Sequence, residues 1–381
     1  MMETGEIAFF MLKLAAVWRP LNWSSWKAWL YNFSTAVVFF IMSFTVISLI
    51  IPLMMSLDIE TIFEGRMLEF AMVLAMCKGG VFVINRREVL NLNNILNGAL
   101  CYPRVEEEWK IRHEILQPFK KYAAFLALGT HFVIKLDVIA SILENAPKQR
   151  LKFNAWLPFD YTSGPGYWIP FIFQHMSMIY ACFYDVYHDT VIFDYLYQIC
   201  VQIAILKYRI QKYFIFWDKI FVQIGDEKTS GSQIFADHME HYLCIIDFAE
   251  KLNNTFLYTI FMQFTLSTMI VCYEIYSLTT VSPTSSEFLI IISYTILFLM
   301  QIFCYCVIGD MVLQRSGEIS SSIYQLDWTL LSPKFQKNLI LMLCRMSRPI
   351  QITSGHIIVL SHQTFASLLK LAYSIYNLLK K

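Results

Sequence analysis

The chain has 381 residues, of which 57% are hydrophobic and only 15% are charged, whereas a soluble domain carries about 25% charged residues. Its 30 basic and 29 acidic residues nearly cancel, so net charge indicates neither a nucleic acid partner nor an acidic substrate. Two runs, 28–57 and 288–308, contain no charged residue, and each exceeds the roughly 20 apolar residues that cross a hydrocarbon core. The composition excludes an ordinary soluble enzyme and predicts a polytopic membrane protein.

The apolar pattern predicts an amphipathic N-terminal segment, residues 7–18, at the membrane surface, followed by seven membrane helices. The fourth would be roughly 70 Å long at 1.5 Å per residue, more than twice the thickness of the bilayer core. Its second half, which carries Asp185, His188 and Asp189, is therefore predicted to project into water. The seven predicted spans are residues 29–55, 67–84, 119–143, 167–213, 241–278, 287–308 and 349–379.

Lys and Arg are concentrated before span one, between spans two and three, between spans four and five, and before span seven. The loops after spans one and five contain none. Because cytoplasmic loops carry the excess of basic residues, the N-terminus is predicted to lie inside and the C-terminus outside. The glycosylation sequons at Asn22, Asn32 and Asn253 then lie inside or within a span, and we expect them to carry no glycan.

The sequence contains no phosphate-binding GxxxxGK[ST], no HExxH and no GxSxG, so we predict neither an enzyme nor a cofactor. Two polar clusters, 185–189 and 237–241, could hold a metal in principle, but polar residues near span ends are usually solvated or paired. We predict no metal site. Ionisable residues inside spans are either functional or paired between helices, and both interpretations remain open for Glu69, Lys78, Lys135 and Asp137.

Aromatic and Met residues are dense in the outer halves of span four and span six, at residues 167–180 and 288–295. An apolar pocket with a few polar groups suits a small volatile or lipid-like ligand, and Met adapts to varied shapes. Ordinary helix packing would give a similar composition, so this pattern alone leaves the pocket open.

The C-terminal segment carries the most specific pattern. It reads RPIQITSGH at residues 348–356, then HQTF at 362–365, LLK at 368–370 and YSIY at 373–376. This string resembles the final helix of insect odorant receptors, with Ser354, His356 and Gln363 departing from the usual residues. The chain looks like a ligand-tuning odorant receptor subunit rather than the family's co-receptor.

The resemblance implies an all-α membrane protein with seven transmembrane helices and a cytosolic helical anchor, forming a single domain over 1–381. Residues 29–314 would be the ligand-binding helices one to six, 315–347 the cytosolic anchor helix, and 348–379 the pore-lining helix. It implies an odorant-gated, non-selective cation channel in the plasma membrane, a heterotetramer with the insect olfactory co-receptor, without cofactor or nucleic acid. The alternative is a G-protein-coupled seven-helix receptor, but neither a DRY-like triplet nor NPxxY is present.

The resemblance also implies an odorant pocket in the outer half of helices two to six, where Tyr294 and His175 are the polar candidates to orient a ligand. The predicted pocket residues are Phe70, Val73, Leu136, Ile139, Phe173, His175, Met176, Ile179, Tyr294 and Phe298.

In span seven, a stripe that mixes hydroxyl and aliphatic side chains recurs every three or four residues, as on one face of a helix. Such a stripe suits a wet pore with an apolar constriction, although hydroxyl residues also occur at tight helix interfaces. Alignment with the family pattern puts Leu360 and Thr364 at the narrowest part of the pore. The predicted pore and gate residues are Thr353, Ile357, Leu360, Thr364 and Ser367, and the stripe continues to Leu371 and Ser374.

Overall fold

The computed structural model describes residues 6–20, 23–55, 66–153, 155–158, 161, 164–221, 230–325 and 333–379. Within these ranges the protein is all-α, with a two-stranded hairpin just before the last helix. Short 3₁₀ turns occur at Ala146–Lys148 and Gly164–Tyr167. The helices are α1 (Glu6–Leu14), α2 (Ser25–Met55), α3 (Arg66–Ile84), α4 (Arg86–Leu96), α5 (Glu106–Glu144), α6 (Trp168–Phe221), α7 (Ser230–Thr280), α8 (Ser286–Tyr324), α9 (Pro333–Met346) and α10 (His362–Leu379), and the strands are β1 (Thr353–Ser354) and β2 (Ile358–Val359).

Among the described residues, five helices are long and apolar enough to cross a membrane, namely α2, α5, α6, α7 and α8. The other two predicted spans correspond to α3, with 19 residues, and α10, with 18. At 1.5 Å per residue each of these two is about 27 to 29 Å long, close to the thickness of a hydrocarbon core. Below, "outer" and "inner" denote the two sides assigned by the basic residues.

Helix α6 lies at the centre of the bundle and packs against α1, α2, α3, α5, α7 and α8. Its 54 residues would extend about 81 Å. Neighbouring helices surround its second half and bury His188 and Asp189, so the part that extends beyond the bilayer core does so inside a helical bundle, with these two side chains shielded from solvent. A helix that is apolar on all sides usually lies in the interior of a protein. Apolar residues flank His188 and Asp189 in the sequence, which agrees with the central position of α6.

The N-terminal segment, predicted to be amphipathic, packs one face against the helix bundle. One face of α1 is buried, with Ala8 and Leu12 packed into the main apolar core. The Tyr184 hydroxyl of α6 donates a 3.1 Å hydrogen bond to the carbonyl of Ala15, just after this helix. The opposite face exposes Ile7 and Phe10, so the segment is amphipathic, but its apolar face is shared between the bundle and its exterior.

The last predicted span divides into two parts. Residues 353–359 form a hairpin in which Thr353 pairs with Val359 and Ser354 with Ile358, and helix α10 begins only at His362. Gly355 sits in the turn with φ of +61°, and a Cβ there would lie 2.7 Å from the ring of Phe261, so the turn requires glycine. The helical stripe predicted through Thr353, Ile357 and Leu360 is therefore wrong, because these residues precede the helix.

Candidate ligand-binding and pore-lining sites

The predicted pocket residues separate into groups. Phe298 of α8 belongs to an apolar cluster with Ile270 and Val271 of α7 and Ala372 of α10, and Phe70 of α3 packs against this cluster. This cluster joins two helices of the predicted ligand-binding region to the last helix. A ligand bound beside Phe298 would therefore contact a cluster that includes α10.

The remaining apolar candidates lie elsewhere in the bundle. Val73 packs against the main core, and the ring centroid of Phe173 lies 6.0 Å from that of Phe44 in α2. On α5 and α6, four candidates expose more than a third of their surface, so the bundle interior does not gather them with Phe70. These exposed candidates are Leu136, Ile139, Met176 and Ile179.

The two polar candidates lie close to an ion pair at the outer end of the bundle. Asp137 of α5 is buried and pairs with Lys152 of the segment that connects α5 to α6. His175 is buried, and its Nδ1 lies 2.7 Å from the carbonyl oxygen of Phe171. Tyr294 of α8 interacts electrostatically with Asp137 and with Glu274 of α7. Polar groups from four helices and a connecting segment thus approach one another in the outer half.

Glu274 was not among the sequence-based candidates. Its side chain is 0% exposed, and both carboxylate oxygens lack a hydrogen-bond partner among the described residues. The available signal was its position as the one acidic residue between Lys251 and Glu287, four residues before the predicted end of span five. A residue so near a span end is easily assigned to the interface, which explains why it was missed.

A second group of charged residues lies deeper in the bundle than the pair of Asp137 and Lys152. Lys78 of α3 pairs with Asp185 at 2.5 Å and with Asp189 at 2.7 Å. The hydroxyl of Tyr305 donates to Asp189 at 2.7 Å, and Gln301 donates to Asp185 at 2.6 Å. The structure therefore resolves the alternatives for Lys78 in favour of interhelical pairing, and it assigns Asp185 and Asp189 to this pairing.

The pore candidates occupy two different environments. Leu360 is buried, with 1% exposure, and packs so closely on α8 that a Cβ added at Gly309 would overlap its own Cβ. The Thr364 hydroxyl donates a 2.7 Å hydrogen bond to the carbonyl of Val359, which joins the helix to the hairpin. Thr353 is half-buried and Ile357 is exposed. Leu360 and Thr364 thus participate in packing and hydrogen bonding at the start of α10.

Helix α10 has one face against the bundle and one face free of this chain. Phe365, Leu368 and Ala372 face α7 and α8, where they line a small cleft together with Thr268, Val271 and Leu299. Ser367, Leu371 and Ser374 are exposed and follow one another at intervals of four and three residues. From Ser367 onward, the predicted stripe therefore lies on the face of α10 that this chain leaves uncovered.

The inner ends of α6 and α7 meet at a buried arginine. Arg209 forms two 2.8 Å hydrogen bonds with the carboxylate of Glu108 and donates to the carbonyls of Leu100 and Tyr102 at 2.6 and 3.0 Å. His241, from the second cluster weighed as a metal site, lies 3.3 Å from Arg209. Among the described residues no group of three His, Cys, Asp or Glu side chains could hold a metal ion.

A pair of thiols lies beside this arginine. The Sγ atoms of Cys101 and Cys244 are 3.8 Å apart. The hydrogen bond with Cys244, together with burial, raises the pKa of the Cys101 thiol, so Cys101 remains a protonated, packed side chain at neutral pH. Together the arginine and the thiols hold the connection between α4 and α5 against the inner ends of α6 and α7.

The structure is an all-α bundle with inner extensions and a short last helix that a hairpin precedes. The sequence itself matches a known family: the profile of the 7tm odorant receptor family matches residues 58–373. This chain belongs to the odorant receptor family. Membership confirms a receptor rather than an enzyme and, with the span-length helices, a multi-pass protein of the plasma membrane.

Several curated odorant receptors are similar to this chain. Odorant receptor 2a of Drosophila melanogaster is 21% identical over 96% of this chain and 94% of that protein. Odorant receptor Or2 of Anopheles gambiae is 25% identical over 62% of each chain, and odorant receptor 22b of Drosophila melanogaster is 26% identical over 38% of this chain and 36% of that protein. With the last two relatives the chain aligns over less than two thirds of their length.

The fold also matches a solved receptor structure. The insect olfactory receptor OR5 from Machilis hrabei, determined in complex with eugenol, superposes with a TM-score of 0.82 at 16% identity, over 98% of this chain and 97% of that chain. The likeness confirms the predicted fold class, a seven-helix membrane protein.

Proposed function

We propose that this chain is the ligand-tuning subunit of a ligand-gated, non-selective cation channel. It binds a small hydrophobic or volatile ligand in the outer half of the helix bundle, and binding opens a pore lined by the last helix. The observation that carries this proposal is the cluster of Phe70, Phe298 and Ala372. It connects the predicted ligand region to α10, so a ligand that enters this cluster would also contact the last helix.

Two surfaces support an assembly of several subunits around a pore. On α10, Ser367, Leu371 and Ser374 are exposed and would face a pore when four copies of this helix come together. On α9, Ile340 and Leu341 are exposed in the inner region, where apolar side chains usually mark a protein interface. We propose that the partner is the insect olfactory co-receptor in a heterotetramer. The complex of Machilis hrabei OR5 with eugenol supports a small organic ligand.

Co-expression with the insect olfactory co-receptor tests this function. A broad odorant panel should evoke cation current in surface-normalised recordings, and the current should persist when G-protein signalling is blocked. Cells that express either subunit alone provide the control. Current that disappears under the block would instead favour the G-protein-coupled alternative, and no response to any odorant would contradict the channel proposal.

A further inference from the structure

Four outer polar residues lie at similar distances from the outer ends of their helices. Asp137 is seven residues from the outer end of α5, His175 seven from that of α6, Glu274 six from that of α7, and Tyr294 eight from that of α8. At 1.5 Å per residue these distances are about 9 to 12 Å. We call these four residues, with the neighbouring Gln174, the outer polar layer.

This layer contains buried hydrogen-bond acceptors without donors among the described residues. They are Asp137 Oδ2, Gln174 Oε1, both oxygens of Glu274 and His175 Nε2. His175 Nε2 is an acceptor because Nδ1 lies 2.7 Å from the carbonyl oxygen of Phe171. A carbonyl can only accept, so Nδ1 carries the hydrogen of the neutral ring.

Neighbouring side chains do not supply the missing donors to Glu274. Thr295 is the side chain that approaches the Glu274 carboxylate as a hydrogen-bonding neighbour, but its single hydroxyl hydrogen is donated to the carbonyl of Ile291 at 2.9 Å, which leaves both Glu274 oxygens without that donor. Lys152, the cation of this layer, is paired with Asp137. A buried carboxylate without a donor is costly, so the site is suited to a group that brings hydrogen-bond donors with it.

A packed apolar cluster lies beneath the layer. Ile270 and Val271 are about one helical turn deeper than Glu274 on α7, and Phe298 is one turn deeper than Tyr294 on α8. Phe70 packs against this cluster from α3. An amphiphilic molecule could therefore place its tail among these side chains and its head at Glu274.

Building on the proposed function, we propose that the ligand class is a small apolar molecule with a hydrogen-bond-donating head, a primary amine or alcohol. Glu274 is the residue that selects this head. A protonated amine also supplies the positive charge that would pair with the Glu274 carboxylate, so amines should be favoured over alcohols.

The test uses primary amines, primary alcohols and methyl ethers of equal heavy-atom count on the full chain with the co-receptor. An ether accepts but cannot donate a hydrogen bond. We expect the half-maximal concentration for amines and alcohols to be about 10-fold or more below that for the matched ethers. Equal potency of the three classes would overturn the proposal and would mean that water satisfies the layer.

Glu274→Gln then separates charge from hydrogen bonding, because it keeps an acceptor oxygen and removes the carboxylate. We expect amines to lose roughly 10- to 100-fold in potency while alcohols change far less. Glu287→Gln, at the exposed start of α8, is the matched control and should change neither. An equal shift for all classes, or no shift, would show that Glu274 does not contact the ligand.

A second variant tests the same contact by length. Glu274→Asp keeps the charge but withdraws the carboxylate by one methylene, so the preferred amine should become one methylene longer. An unchanged length preference would contradict the assignment.

Binding can also be measured without channel opening. The thermal shift of unfolding that each ligand produces in the purified full chain should show the same order of amine, alcohol and ether. Donor-selective binding without current would contradict the channel proposal alone, whereas current without donor preference would contradict this inference alone.

Discussion

Lys78 of α3 lies between two carboxylates of α6, 2.5 Å from Asp185 and 2.7 Å from Asp189. The Lys78 side chain is fully buried. Tyr305 and Gln301 of α8 donate hydrogen bonds to the same carboxylates. This group therefore ties three helices together in the interior of the bundle, between the outer polar layer and the inner arginine.

Lys78→Met should reduce the folded, surface-expressed protein severely. Removing one partner leaves buried negative charge without compensation, which typically costs about 3–5 kcal/mol. Lys251→Met is the matched control, because Lys251 forms an exposed pair with Asp247 that contributes only about 0.3–0.5 kcal/mol. Surface biotinylation measures the surface level of each variant. Wild-type surface levels of Lys78→Met would contradict the structural role.

A double variant tests the charge argument itself. Lys78→Met combined with Asp189→Asn removes one of the two uncompensated carboxylates, so it should restore part of the lost expression. Restoration by the second substitution, which alone should also be destabilising, indicates direct coupling between neighbouring residues. Additive losses would mean that the two side chains contribute independently.

Much of this fold follows from hydrophobic periodicity and length, but the pairing of polar residues does not. The start and end of α3 could be predicted within one residue, because Ile84 ends its apolar run at Asn85 and two arginines. The partners Lys78 and Asp185 are 107 residues apart, and no local pattern relates them. Periodicity also could not separate the hairpin at 353–359 from the helix that follows, since both are apolar and hydroxyl-rich.

The same limit applies to the candidate sites. Phe70 and Phe298 were predicted for the pocket from the family resemblance, and they do share a cluster. Glu274 was missed because its significance depends on burial without a partner, which only tertiary packing determines. Leu360 was interpreted as a gate, yet its close approach to Gly309 results from packing of the segment before α10 against α8, two parts of the chain that are distant in sequence.

Gly309→Ala should impair folding or shift channel opening. Its new Cβ would overlap the Cβ of Leu360 and approach the Leu360 carbonyl oxygen at 2.9 Å, so the backbone before α10 must move. Gly80→Ala is the control, since no atom lies within 4 Å of a Cβ there, and alanine favours the helix by up to about 1 kcal/mol. The two variants are compared by their resting current, normalised to surface protein, and by the odorant concentration that gives a half-maximal response.

Leu360→Ser distinguishes packing from gating. Because Leu360 is buried against α8, we expect lower surface expression, with a loss of about 2–5 kcal/mol as for other large-to-small core substitutions. The channels that reach the surface should keep normal ion selectivity. Raised resting current or altered selectivity at normal expression would instead support the gate role predicted from the sequence.

Arg209→Lys should destabilise the inner bundle although it conserves charge. A lysine cannot reproduce the paired hydrogen bonds to Glu108 together with those to the carbonyls of Leu100 and Tyr102. The expected loss is about 3 kcal/mol or more, since buried acceptors are left unpaired. Lys212→Arg, three residues further along α6 and exposed, is the control. Thermal unfolding of the detergent-purified protein, followed by size-exclusion chromatography, measures the difference.

The topology prediction is tested by glycan mapping. If the N-terminus is inside, the sequons at Asn32 and Asn253 carry no glycan, and Asn253 is also buried, where it bonds Thr353 of the hairpin. The sequon at Asn22 lies outside the described residues. A positive control is Lys148→Asn with Arg150→Ser, which creates an Asn-Gln-Ser sequon in an exposed outer turn. A mass shift with endoglycosidase should occur only in this variant.

The exposed face of α10 gives the most direct test of the pore. Ser367→Cys places a thiol on the face that this chain leaves uncovered, whereas Ala372→Cys places one in the cluster with Phe298. If α10 lines the pore, a charged, membrane-impermeant thiol reagent applied from outside should reduce odorant-evoked current through Ser367→Cys. It should react at least about 10-fold more slowly with Ala372→Cys, because only an exposed thiolate is attacked.

Modification of Ser367→Cys that depends on odorant would show that opening admits the reagent. Equal insensitivity of both variants, with normal current in each, would exclude this face of α10 from the conduction path.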